Sequence, residues 1–124
     1  MKELLLVFIG GGFGSVCRYV INVILKETDS FYPWPTLLAN AIGSLLIGAL
    51  ADQLMRNTSI HNSSTLFWII GFCGGLTTFS TFAMENLTLF RLSGGVSLLI
   101  YASLTYFICL VMVVLGTFLS KLIF

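Results

Sequence analysis

The stretch that decides the fold is Gly71-Phe72-Cys73-Gly74-Gly75-Leu76-Thr77-Thr78-Phe79-Ser80-Thr81-Phe82 (GFCGGLTTFSTF). It is an apolar segment interrupted by two adjacent glycines and then by four hydroxyl residues within five positions. That is an unusual way to cross hydrocarbon. Adjacent glycines weaken helix continuity, and Thr or Ser hydroxyls can bond the backbone carbonyls that a break sets free. The glycine pair alone is better explained by close helix packing, which small residues permit in membranes. The dense hydroxyl cluster turns the balance toward a break near the bilayer midplane. Carbonyl oxygens and amide donors become available there, as in the ion sites of transport proteins.

The rest of the chain supports a membrane setting. Its 124 residues include six Lys or Arg and five Asp or Glu, so that 9% are charged, against roughly 25% in soluble domains. Hydrophobic residues make up 57%, and the mean hydropathy is +1.01. So few charges cannot cover the surface of a small soluble domain, which excludes a soluble enzyme and a disordered chain. A net charge of +1 indicates neither a nucleic-acid partner nor electrostatic anchoring to a surface. A spanning helix needs about 20 apolar residues. With charges read as boundaries, four spans emerge at about 4–25, 36–55, 66–90 and 95–119, forming one transmembrane domain. The expected fold is an all-α membrane protein with four transmembrane helices, the third broken near its middle. No length remains for a catalytic domain.

Lys2 before an apolar run imitates a secretory signal, but Gly10–Gly14 interrupts the run and no small-residue cleavage pattern follows. Cys17, Cys73 and Cys109 each fall within a span, odd in number and without ligand spacing, and read as small packing residues. Orientation depends on Lys and Arg near the span ends. Lys2, Arg56 and Lys121 lie on one side. Lys26 and Arg91 lie on the other, joined by Arg18 if it snorkels outward. So even a balance suggests dual topology, with copies inserted both ways and paired antiparallel. A single topology set by Lys2 and Arg56 is the alternative, and charge alone does not choose between them.

Four short helices enclose no pore by themselves, because a conduit needs inward polar groups shielded from lipid; an oligomer is expected. Phe79 and Phe82, three apart, share a helix face and present electropositive ring edges to an anion, or simply pack. Asn40, one turn after Thr36, either bonds a neighbouring helix or donates its amide to an anion; a buried amide in lipid must be paired. Tyr101 and Thr105 continue at the same spacing to Cys109 and Val113, a polar stripe that turns apolar halfway. It is a hydrogen-bonding seam or a permeation wall. Glu85 shares the face of Phe82, and an acid at this depth is a functional candidate, or a partner for Arg18. Arg18 follows the glycine run of the first helix and either draws anions into a vestibule or anchors the helix end. His61 carries no assignment.

The motif GFCGGLTTFSTF closely resembles the third helix of the Fluc fluoride channels, also called the CrcB family. The resemblance extends to GGGFGSVCRY at Gly10–Tyr19, to TLLAN at Thr36–Asn40, and to four-helix organisation over almost the whole chain. It implies a passive fluoride-selective channel, not an enzyme, that exports fluoride from the cytoplasm of a bacterium and confers fluoride resistance. The assembly implied is an antiparallel dual-topology homodimer with two pores, multi-pass in the inner (plasma) membrane. It also implies a structural sodium ion at the dimer centre, held by backbone carbonyls that match Gly74 and Thr77 from both subunits. By the same resemblance Asn40, Phe79, Ser80, Phe82, Glu85, Tyr101 and Thr105 belong to the ion pathway and Arg18 to its vestibule. Cys109 and Val113 depart from the family's polar track, where hydroxyl residues are common.

Physical chemistry agrees with that implication. Fluoride is small and strongly hydrated, so a selective path must replace water with close donors and positive ring edges. A negative-inside potential drives an anion outward by about 2.3 kcal/mol per charge per 100 mV, and the chain shows no ATP motif. Small multidrug-type proton-coupled cation exporters are the rival of similar size, but they rely on an acid embedded in the first helix, where this chain has only Glu3 at the entrance. A non-transporting membrane subunit is the second rival. No nucleophile–base pair or metal set supports an enzyme.

Overall fold

The computed structural model describes residues 1–25, 30–56 and 63–123, with backbone alone for 51–56 and 123. Helix α1 runs Lys2–Leu25 and α2 Trp34–Arg56. A third helical course begins with α3, Ser63–Thr65, passes through a π-helical segment π1, Leu66–Cys73, and ends with α4, Gly74–Leu76. After a short extended interruption come α5, Ser80–Ser93, and α6, Gly95–Ile123. Helices are what these apolar runs must form, since hydrocarbon offers no partners to backbone N–H and C=O groups. At 1.5 Å per residue, the 24 residues of α1 reach about 36 Å. Pro35 sits in the first turn of α2, where its missing N–H costs nothing. Gly94, at φ +83°, turns the chain from α5 into α6 in a conformation that favours glycine.

Among the described residues, Lys2–Leu25, Ser63–Ser93 and Gly95–Leu122 are long and apolar enough to cross a membrane, and Trp34–Leu50 is a shorter apolar helix. All regular secondary structure among the described residues is helical, and the protein is a multi-pass membrane protein. Its first loop charge, Lys26, and His61 lie outside the described residues.

Two helix pairs organise the molecule: α1 along π1 and α4, and α2 along α6. Both contacts are built on glycine. A Cβ on Gly10 would strike the Phe67 carbonyl oxygen, one on Gly14 that of Phe72, and one on Gly75 that of Gly11. On the other side a Cβ on Gly48 would strike the Val113 carbonyl oxygen, and one on Gly116 that of Leu45. Lipid tails are as apolar as leucine, so such close backbone packing, rather than hydrophobic drive, holds membrane helices together. The buried core is correspondingly small, centred on Leu37, Leu89 and Tyr101 with Phe82 and Ile108 against it. Most large apolar side chains of α1 and α6 point outward.

The third helix is broken near its middle, but not at its glycines. Gly74 and Gly75 remain helical, and Gly75 serves the close approach to α1. The interruption falls at Thr77, whose backbone is extended at φ −80°, ψ 154°, and continues to Phe79. Local helix weakness at Gly75 is outweighed by its packing on α1; polar partners from another helix place the break at Thr77 and Thr78.

Candidate functional site

The break is held by its hydrogen bonds. The Thr77 N–H and hydroxyl both donate to the Cys73 carbonyl, at 3.0 and 2.8 Å. The Thr78 N–H donates to Asn40 Oδ1 at 2.8 Å, and Asn40 Nδ2 donates back to the Thr78 carbonyl at 3.1 Å. The Thr78 hydroxyl accepts the Thr81 N–H at 3.3 Å and donates to the Thr81 hydroxyl at 3.2 Å, a side-chain cap for the restarting helix. The first regular bond of α5 runs from Ala83 N–H to the Phe79 carbonyl at 2.8 Å.

These bonds release two particular carbonyls. In an unbroken helix the Thr78 N–H would serve Gly74 and the Thr81 N–H would serve Thr77, by the i to i−4 rule. Both donors are turned elsewhere, to Asn40 and to the Thr78 hydroxyl. Gly74 and Thr77 therefore present oxygens freed from the helical ladder. Carbonyl oxygens are ligands for a hard cation, so these two positions fit the central ion implied by the sequence resemblance. No cluster of three His, Cys, Asp or Glu exists among the described residues to hold a metal in another way.

Between the break, α2 and α6 lies a groove of about 660 Å³. Asn40, Gly74, Thr77, Phe79, Phe82 and Thr105 all line it, so six of the residues singled out in the sequence meet on one surface. The rings of Phe79 and Phe82 are 5.8 Å apart at 47°, and Phe82 leans on Tyr101 at 5.7 Å. Phe79 is 79% exposed. The Thr105 hydroxyl is buried without a hydrogen-bond partner. Asn40 uses one of its two amide hydrogens on Thr78.

Glu85 and Tyr101 form a separate cluster. Thr36 Oγ1 donates to Glu85 Oε1 at 2.5 Å, and the Tyr101 hydroxyl lies 3.0 Å from Glu85 Oε2 and 3.2 Å from the Pro33 carbonyl. Glu85 is thus bonded to two hydroxyls and does not pair with Arg18. One hydroxyl carries one hydrogen, so Tyr101 donates to Glu85 or to Pro33, one at a time. Arg18 lines a second cavity, of about 240 Å³, with Ser15, Asn22, Thr36, Thr78 and Thr81. Thr36 and Thr78 connect this polar cavity to Glu85 and to the break. Ser80 lines neither space; it is exposed, 3.4 Å from the Thr78 hydroxyl. Two residues with central positions were not singled out from sequence, Thr36 and Ser44. Their i, i+4 spacing around Asn40 was the available signal.

The resemblance stated from the motif has independent support. The profile described as CrcB-like protein, Camphor Resistance (CrcB), matches residues 5–117. A protein of Azobacteroides pseudotrichonymphae is 34% identical over 98% of both chains. One of Bacteroides fragilis is 46% identical over 77% of this chain and 76% of its own, and one of Pyrococcus furiosus 44% over 73% of each. All three are named fluoride-specific ion channel FluC. Members of this group are ion channels and not enzymes. With its glycine-packed helix pairs and interrupted third helix, the chain belongs to the CrcB-like family.

Proposed function

We propose that this chain forms a passive fluoride-selective channel that exports fluoride across the bacterial inner membrane. The observation that carries the proposal is the interrupted helix, whose polar backbone and hydroxyls border a groove with Asn40, Phe79, Phe82 and Thr105. The names of the relatives supply the ion.

The assembly proposed is an antiparallel dual-topology homodimer with two pores. Irregular backbone does not face lipid within the hydrocarbon layer. Yet Gly74, Phe79 and Ser80 are exposed on the single chain, so a protein surface must cover them. A second copy inserted the other way round is the cover consistent with the balanced Lys and Arg distribution. Carbonyls of Gly74 and Thr77 from both subunits would then hold a structural sodium ion. When bound, that ion supplies a fixed positive charge where the chain has almost no basic side chain.

Each residue has a task in conduction. Phe79 and Phe82 turn ring edges to the anion. Asn40 and Thr105 offer donors in place of water, and weak, distributed donors let the ion leave again. Arg18 raises anion concentration at the entrance. Glu85, held by Thr36 and Tyr101, continues the pathway beyond Phe82. Nothing in the site favours the exporter reading, which needs an open acid in α1.

Purified chain in liposomes loaded with potassium fluoride provides the test. Rapid fluoride efflux without comparable chloride efflux is expected. Equal rates for both ions would reject selectivity, and no flux would reject the channel.

A further inference from the structure

Helices α2 and α6 run parallel, in a register that repeats every four residues along both. Thr36 stands beside Tyr101, the two sharing the carboxylate of Glu85. Asn40 and Thr105 follow, both lining the groove. Gly48 stands against the backbone of Val113. Four residues advance a helix by about 6 Å, so Ser44 and Cys109 fall at one level between these pairs, and both line the same groove. Along the four-residue stripe of α6 that faces α2, the hydroxyls of Tyr101 and Thr105 give way to Cys109, which offers only a thiol, a weak donor, and then to Val113. On α2 a hydroxyl is present at that level.

The Ser44 hydroxyl is also available. Serine and threonine in helices commonly turn back onto their own backbone, as Thr88 does to Met84 and Thr117 to Val114. Ser44 makes no such bond among the described residues. It is half-buried at the wall of the groove. A half-buried hydroxyl with no partner at the edge of a membrane groove is suited to a ligand that accepts hydrogen bonds.

We propose that Ser44 is a donor of the ion pathway, the hydroxyl that continues the polar track on α2 where α6 lacks one. This rests on the fluoride-channel reading above. The track crosses from α6 to α2 at this level: Tyr101 and Thr105 on one helix, then Ser44 on the other. An anion leaving Asn40 and Thr105 meets Ser44 as its next strong donor, about one helical turn farther on.

Fluoride efflux from liposomes tests the assignment with wild type, Ser44→Ala, and the double variant Ser44→Ala/Cys109→Ser. Losing a hydrogen bond to an ion is expected to slow Ser44→Ala by at least about tenfold. Returning a hydroxyl at the same level, from the facing helix, is expected to recover most of that loss. Both variants should elute as the wild type does in size-exclusion chromatography. A Ser44→Ala rate within twofold of wild type would overturn the proposal. So would a slowed Ser44→Ala that Cys109→Ser leaves unrescued, the outcome of a merely structural serine. Absence of fluoride flux from wild type itself would instead overturn the channel reading, and this inference with it.

Discussion

Asn40 grips Thr78 at both ends of its backbone, accepting the N–H at 2.8 Å and donating to the carbonyl at 3.1 Å. One amide side chain thereby replaces two bonds of the helical ladder. It frees the Gly74 carbonyl by occupying the N–H that would otherwise serve it. The polar residue most conspicuous in the second span thus shapes the third and holds the break open.

Asn40→Asp keeps the acceptor and removes the donor, setting a carboxylate oxygen against the Thr78 carbonyl. Loss of a partly buried bond, with an unpaired acceptor left behind, costs about 1–3 kcal/mol. Fluoride efflux from liposomes is expected to fall by at least about tenfold. An unchanged rate would remove Asn40 from both the clamp and the pathway.

Phe79 and Phe82 should separate function from stability. Phe79 is 79% exposed on the chain, so Phe79→Ile is expected to abolish most fluoride efflux while leaving thermal unfolding in detergent within a few degrees of wild type. Phe82 packs on Tyr101 at 5.7 Å, and Phe82→Ile is expected to lower both flux and unfolding temperature. Paired efflux and differential scanning measurements check this; unchanged flux in both variants would refute the aromatic assignment.

Glycine substitutions test the packing. A Cβ at Gly48 has no room beneath the Val113 carbonyl, whereas one at Gly12 meets nothing within 4 Å. Gly48→Ala is expected to cost about 1–3 kcal/mol of stability by overpacking, and Gly12→Ala to be neutral. Thermal denaturation followed by size-exclusion chromatography reports the difference.

Removing sodium tests the central ion. Replacing it on both sides with a large organic cation is expected to reduce fluoride efflux or dissociate the assembly, because released carbonyls of Gly74 and Thr77 would lose their ligand. Equal flux in sodium and in the organic cation after prolonged exchange would argue against a structural sodium ion.

Tyr101→Phe removes the one hydroxyl shared by Glu85 and Pro33. Leaving acceptors unpaired in the half-buried cluster is expected to cost about 1–3 kcal/mol, read as a lowered unfolding temperature. Glu85→Gln preserves an acceptor for Thr36 and places an amide donor beside Tyr101, freeing that hydroxyl for Pro33. It is expected to unfold within a few degrees of wild type.

The membrane class, the helical course of the chain and the region of the break were legible in composition and in GFCGGLTTFSTF, because hydropathy and helix-breaking tendencies act within a few residues. So was the set of residues around the groove: Asn40, Phe79, Phe82 and Thr105 are polar or aromatic at helical spacing where lipid tolerates few such groups. Tertiary structure decided what those residues do to one another. The glycine pair read as packing residues and the hydroxyl cluster as the break; Gly74 and Gly75 are helical, with Gly75 against α1, while Asn40 from another helix interrupts the ladder at Thr77 and Thr78. Glu85 found Thr36 and Tyr101 instead of Arg18, and Ser44 came level with Cys109, because the register of α2 against α6 is set by backbone contacts at Gly48 and Gly116. Close approach between helices distant in sequence depends on where two surfaces lack side chains together, and no local pattern in either helix contains that match.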